Sequence, residues 1–154
     1  MKVYLAGPMT GIPQFNYPLF MDTAAGLRAV ELSPEQGYGI EVVSPAELDF
    51  PEVQLASLLS PDGNLNTIET HGLTFGDFIA RDVQLIIDDG IDAVVVLPGW
   101  ETSRGARLET FVANAICGLP IMTWDGKESF YNVPKLDLWR AWLKEPRLCA
   151  YWED

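Results

Sequence analysis

The chain has 154 residues, 48% apolar and 21% charged, an ordinary globular composition and a length that suits one domain with a sizeable core. Its formal charge of −12, from 22 acidic against 10 basic side chains, would repel a nucleic-acid polymer, and no basic stripe offsets it. No apolar run approaches the ~18 to 20 residues of a membrane helix, so no membrane partner is expected.

In chain order, MKVYLAGP is too short for a secretory apolar core and reads as a first buried strand over Val3 to Ala6. Phe20, Ala24, Leu27 and Val30 then recur at helical spacing. Ile40 to Val43 has buried-strand character. Residues 50–72 are rich in Pro, Ser, Asn and Gly without clear periodicity, and read as a long excursion, a lid or a subunit contact. Phe75, Phe78, Ile79, Leu85 and Ile86 mark a second helix, with Thr74 and Asp77 placed as a capping box. Ala93 to Leu97 is a continuous apolar strand, and a third helix follows from near Ser103 to Ile116, stopped by Gly118. Pro120 to Trp124 is a fourth strand. The tail, 134–154, carries Leu136, Trp139, Trp142 and Leu143 at helical spacing, a stripe suited to core packing or an oligomer face.

Continuous rather than alternating apolar strands favour a sheet covered on both faces. The β-α-β-α alternation predicts an α/β chain, an open parallel-sheet Rossmann-like (flavodoxin-like) sandwich with helices on both faces, in a single domain over residues 1–154. Ligands of such folds bind beyond the carboxyl ends of the strands. The loops GPMTG and PGWETSRG therefore draw attention.

At the mouth of the third helix, Ser103 and Gly105 suit an anion. The first backbone N–H groups point outwards there, and Gly105 lets a ligand oxygen approach them. The plainer reading makes Ser103 an N-cap and Gly105 a turn residue. Glu109 lies six residues past Ser103, roughly 9 Å along the axis. That is about one sugar ring from a bound phosphate, where a carboxylate can attack an anomeric carbon; a solvated glutamate is the alternative. Asp82 sits amid Phe78, Ile79, Leu85 and Ile86, on the apolar stripe of its helix, where a carboxylate needs a partner or a task. Arg81 or a backbone amide is the plain partner. Cys117 and Cys149 lack metal-type spacing and His71 has no second histidine nearby, so no metal centre is expected, and free thiols in a reducing cytoplasm are.

YLAGPMTG, ARD, DAVVVLPGWETSRGARLE and GLPI together resemble the nucleoside 2-deoxyribosyltransferase superfamily. The resemblance covers most of residues 3–122 and is nearest to a small branch often carried by bacteriophages. Its most specific part, Ser-x-Gly-x-x-x-Glu after a DAVVV strand, is shared with the 2′-deoxynucleoside 5′-monophosphate N-hydrolases. The resemblance implies Glu109 as nucleophile and Asp82 as the aspartate that contacts the sugar and assists base departure. It implies Ser103 and Gly105 as phosphate contacts, with Tyr4 and Gly7 bordering sugar and phosphate. Met9 and Thr10 would extend that wall, and Trp100 would stack on a base or pack in the core. The first loop holds no Arg or Lys, which leaves Arg104 or Arg107 to supply positive charge.

The implied activity is an N-glycosidase acting on a (deoxy)nucleoside 5′-monophosphate, with no cofactor. A base-exchanging deoxyribosyltransferase and a non-catalytic nucleotide-binding module are the alternatives. For Glu109 to attack, it should be ionised, with hydrogen-bond support and incomplete desolvation. The implied partners are a small nucleotide or nucleoside and further copies of the chain, as a dimer or larger homo-oligomer.

Overall fold

The computed structural model describes residues 1–30 and 39–143. The expectations for residues 144–154, Cys149 among them, lie outside the described residues.

Strands β1 (Lys2–Ala6), β2 (Glu41–Val43), β3 (Ala93–Val96), β4 (Ile121–Trp124) and β5 (Phe130–Asn132) form one sheet in the order β2-β1-β3-β4-β5. All pairings are parallel except β4 with β5. The apolar runs sit centrally, as their composition requires: Val3, Tyr4, Leu5 and Ala6 are all fully buried, as are Val94 and Val95.

The pleat sends alternate side chains to opposite layers. Val3, Leu5 and Val95 pack with Phe20 of α1 (Tyr17–Arg28), Ala46 of α2 (Pro45–Leu48), Val53 of α3 (Pro51–Leu59) and Ile68 of α4 (Asn66–Glu69). Tyr4, Ala6, Val94 and Val96 pack with Ile86 of α5 (Phe75–Asp88), Ala106 of α6 (Arg104–Phe111), and Leu138 and Ala141 of α7 (Lys135–Trp142). The protein is an open Rossmann-like α/β sandwich with helices on both faces. Strand order reverses between β1 and β3, so the crevice beyond their carboxyl ends is the natural ligand position.

Local chemistry fixes the helix ends. Thr74 accepts from the Asp77 amide while Asp77 accepts from the Thr74 amide, completing the expected capping box of α5. Beyond α6 the backbone loosens to a π-helical segment, Val112–Ile116, and Gly118, at φ 71°, ends it.

The structure differs from the sequence reading at three places. Residues 50–72 are not an irregular excursion, since α3 and α4 lie within them and bury Val53, Ser57 and Ile68. The short edge strand β5 has too little apolar patterning to announce itself; it forms because β4 offers it an antiparallel partner. In α7 the buried face is Leu138 and Ala141 with Trp142 half-buried beside them, whereas Leu136, Trp139 and Leu143 are exposed, so for these three the core-packing alternative is set aside and the oligomer-face alternative stands untested. The helix is rotated from the position in which its largest side chains would meet the core.

Candidate active site

A hollow opens beyond the carboxyl ends of β1 and β3. It encloses about 590 Å³ of atom-free space, open solvent at its mouth included. Gly7, Met9 and Thr10 come from the loop after β1, Phe15 from the turn leading into α1 and Tyr17 from the first residue of α1. Asp49 follows α2, Leu65 and Ile68 belong to the α4 region, and α5 supplies Phe75, Phe78, Ile79, Arg81 and Asp82. The last wall is Ser103, which precedes α6, with Gly105, Ala106 and Glu109 of that helix. The walls are largely apolar and the polar groups converge at depth, a usual pattern for small-molecule sites.

Glu109 points inwards from α6 and is only 5% exposed. The Tyr4 hydroxyl, rising from β1 beneath it, donates to Glu109 Oε1 at 3.2 Å. Burial, followed by the charge of Asp82, pushes the Glu109 carboxyl up to about 8, while Tyr4 and Arg81 pull the other way. Its hydrogen-bond support is present as expected, but Glu109 is more desolvated than expected, and the little exposure it keeps faces the hollow. Burial, and then the charges of Glu109 and Asp82, hold Tyr4 far above its ordinary value, so it stays a proton donor.

Asp82 is also buried, at 5% exposure, and has Arg81 as its partner: Nε donates to Oδ1 at 2.8 Å. Burial raises its pKa, Arg81 opposes this, and the charge of Asp49 raises it further. Arg81 turns its other face to Asp49, with Nη1 donating to Oδ1 at 2.5 Å, and Asp49 Oδ2 accepts from the Tyr17 hydroxyl. Burial alone would lower Arg81; its two carboxylate partners outweigh that and raise it, so it stays charged. Among the described residues that line the hollow, Arg81 is the one cation, set against Asp49, Asp82 and Glu109.

Ser103 caps α6, its Oγ accepting from the Ala106 amide at 3.3 Å, while the Arg107 amide bonds to the Ser103 carbonyl. The plainer reading of Ser103 is thus realised, and it faces the hollow as well. Helix geometry leaves the Arg104 and Gly105 amides facing outwards at this end. Gly105 has a packing reason too: a Cβ there would come within 3.1 Å of Ile79 Cδ1. Gly7 is required by the sheet, since a Cβ would lie 2.8 Å from that of Leu97.

Of the residues singled out from sequence, Glu109, Asp82, Gly7, Met9, Thr10, Ser103 and Gly105 surround one hollow, with Tyr4 bonded to its floor. Trp100 does not join them. It is 7% exposed within the core layer that holds Tyr4, so the packing alternative holds and the stacking one is corrected. Arg104 and Arg107 line an adjoining groove with Trp139 and Trp142 instead, Arg104 lying 5.8 Å from the Phe75 ring centre. Sequence reasoning missed Asp49 and Tyr17. A signal was available for Asp49, since it follows the short α2 that leaves β2, a third strand end in the same crevice.

A family described as a domain of unknown function (DUF4406) matches residues 1–123. The chain belongs to that family. Every residue at the hollow lies inside the DUF4406 span, whereas β5 and α7 lie beyond it. No curated protein and no solved structure gives a significant match. Among the described residues no group of three or more His, Cys, Asp or Glu is arranged to hold a metal ion, and Cys117 is a free thiol. Nor is any helix among them long and apolar enough to cross a membrane.

Proposed function

We propose that the protein is an N-glycosidase that hydrolyses the base–sugar bond of a (deoxy)nucleoside 5′-monophosphate, with Glu109 as nucleophile. One observation carries this reading: two buried carboxylates, Glu109 and Asp82, share a hollow that opens beside the first turn of α6. The resemblance of YLAGPMTG, ARD and SRGARLE to the nucleoside 2-deoxyribosyltransferase superfamily supports it.

In this reading the phosphate rests on the amides at the start of α6 and the sugar lies against Glu109. Buried carboxylates that interact titrate as a pair. In this reading the pair shares one proton, placed on Glu109 because burial raises that carboxyl to about 8 while Arg81 directly stabilises the Asp82 carboxylate. The reactive form has that proton on Asp82. The Glu109 oxygen then bonds to C1′ as the C1′–N bond breaks, and Asp82 delivers its proton to the leaving base. Water next attacks C1′, Asp82 takes a proton from it, and the ester opens to free sugar phosphate with Glu109 again a carboxylate.

The apolar wall of Phe15, Phe75 and Phe78 would also seat a second base, which favours base exchange as the alternative. The reading also includes a cytoplasmic location and assembly as a dimer or larger.

The test is a screen of nucleosides and their 5′-monophosphates for released base, repeated with a labelled second base. Free base from a monophosphate supports hydrolysis, and labelled nucleoside in yield replaces it with transfer. Thermal stabilisation by nucleotides without turnover replaces both with a binding module.

A further inference from the structure

Arg81 is divided between two carboxylates. Its Nε serves Asp82 at 2.8 Å and its Nη1 serves Asp49 at 2.5 Å, while the Tyr17 hydroxyl holds the other oxygen of Asp49. Asp49 is 9% exposed and reaches this position from the loop between α2 and α3. A network spanning the start of α1, that loop and α5 is more than an ion pair needs. A buried Arg–Asp pair alone would keep Asp82 ionised, because a guanidinium with one carboxylate partner concentrates its charge there.

We propose that Asp49 is a positioning residue: by drawing one side of the Arg81 guanidinium to itself, it leaves Asp82 able to receive the proton that Glu109 must give up. The proposal rests on the glycosidase reading for its consequence, though not for its geometry. Tyr4 is placed to connect the two acids: it donates to Glu109 Oε1, and it interacts with Asp82 as well. The transfer conserves charge and atoms. One proton leaves the Glu109 carboxyl and binds the Asp82 carboxylate, with Arg81 remaining charged throughout. The groups facing Asp82 are Arg81 on its own helix, Asp49 after α2, Glu109 on α6 and Tyr4 on β1; Tyr17 bonds to Asp49 in turn. Asp49 is the group whose negative charge favours a protonated Asp82 while competing for the cation that disfavours one.

The variant that tests this is Asp49→Asn, which keeps an oxygen to accept from Tyr17 or Arg81 but removes the charge. Carboxyl carbons of the full chain labelled with ¹³C-aspartate are titrated by NMR, Asp82 being assigned with Asp82→Asn. In the Asn variant the Asp82 midpoint should fall by about one pH unit. Base release should fall about tenfold in kcat with KM little changed, and the acid limb of its pH profile should move the same way. An Asp82 midpoint that stays put or rises overturns the proposal. So does a loss confined to KM, which would make Asp49 a substrate contact. Should the unsubstituted protein release no base from any nucleoside or nucleotide, the glycosidase reading fails, and the NMR titration alone still decides whether Asp49 governs Asp82.

Discussion

Burying Glu109 beside Asp82 makes its proton hard to remove, and the stability of the fold changes with pH as a result. The unfolded carboxyl ionises near 4.5 and the folded one near about 8. Between those values the folded state keeps a proton that the unfolded state has lost, so the contribution of Glu109 to stability is full below about 4.5 and disappears as pH rises through 8. Glu109→Gln should abolish this loss. Its unfolding free energy should match the parent near pH 5 and exceed it at pH 8 by an amount on the order of a few kcal/mol, with a higher melting temperature there. Calorimetry across that range checks it, and parallel curves would show that Glu109 is not the burden. The same variant should lose base release by about 10³-fold or more. Tyr4→Phe removes the hydroxyl that favours ionised Glu109. The rate at its pH optimum should fall about tenfold, and the alkaline limb should move to higher pH. A pH–rate profile with an unchanged limb would exclude Tyr4 from the proton's route.

At the scale of elements, the turn from Pro13 to Asn16 holds one wall of the hollow at some cost. Gln14, Phe15 and Asn16 all have positive φ, between 50° and 60°, a run that side chains other than glycine rarely adopt. Neighbouring structure imposes it. The Gln14 amide bonds to the Ser60 carbonyl at 2.8 Å, the Asn16 side chain to the Pro8 carbonyl at 2.9 Å, and the Gly11 amide to the Gly63 carbonyl at 2.9 Å. These bonds seat Phe15 in the core, 2% exposed and against the hollow. Gly63 is central to the arrangement, because a Cβ there would lie 2.1 Å from the Ile12 carbonyl oxygen. Gly63→Ala should therefore destabilise by about 2 to 4 kcal/mol. Gly72→Ala shares a positive φ but meets nothing within 4 Å, and should cost only about 1 kcal/mol. Urea unfolding of the two distinguishes backbone strain from collision. Equal losses would mean that the turn does not bear on Gly63.

For the whole molecule, charge opposes the proposed ligand. A chain of net charge −12 repels a phosphate dianion at long range, while the α6 amides attract it only at contact. Added salt screens the long-range part first. The kcat/KM for a monophosphate should therefore rise with ionic strength, while that for the matching nucleoside stays flat. A fall for the monophosphate would point to a steering cation outside the hollow, with Arg104 and Arg107 in the adjoining groove as the place to look. Light scattering tests assembly. Leu108, Phe111, Trp139 and Leu143 are all exposed around that groove, and the proposed oligomer predicts a mass of at least two chains.

The sequence alone determined four of the five strands and seven of the residues around the hollow, Glu109 and Asp82 among them. VYLA and AVVV are apolar without alternation, so they had to be covered on both faces, and the crossover rules then left few topologies. Ser103, Gly105 and Glu109 lie within one helical stretch, so their placement follows from helix geometry. Asp82 announced itself by interrupting an apolar stripe. The tertiary structure alone decided what these groups experience. Asp49 and Tyr17 are 32 residues apart and meet only because α1 and the loop after α2 flank the same crevice. Trp100 is buried in the layer that holds Tyr4, and α7 turns Leu138 and Ala141 into that layer while Leu136 and Trp139 stay exposed, placements that local pattern does not record. Local pattern fixes which residues share a strand or a helix face. The proton affinity of Glu109 depends instead on desolvation and on charges brought from distant parts of the chain, which no local pattern records.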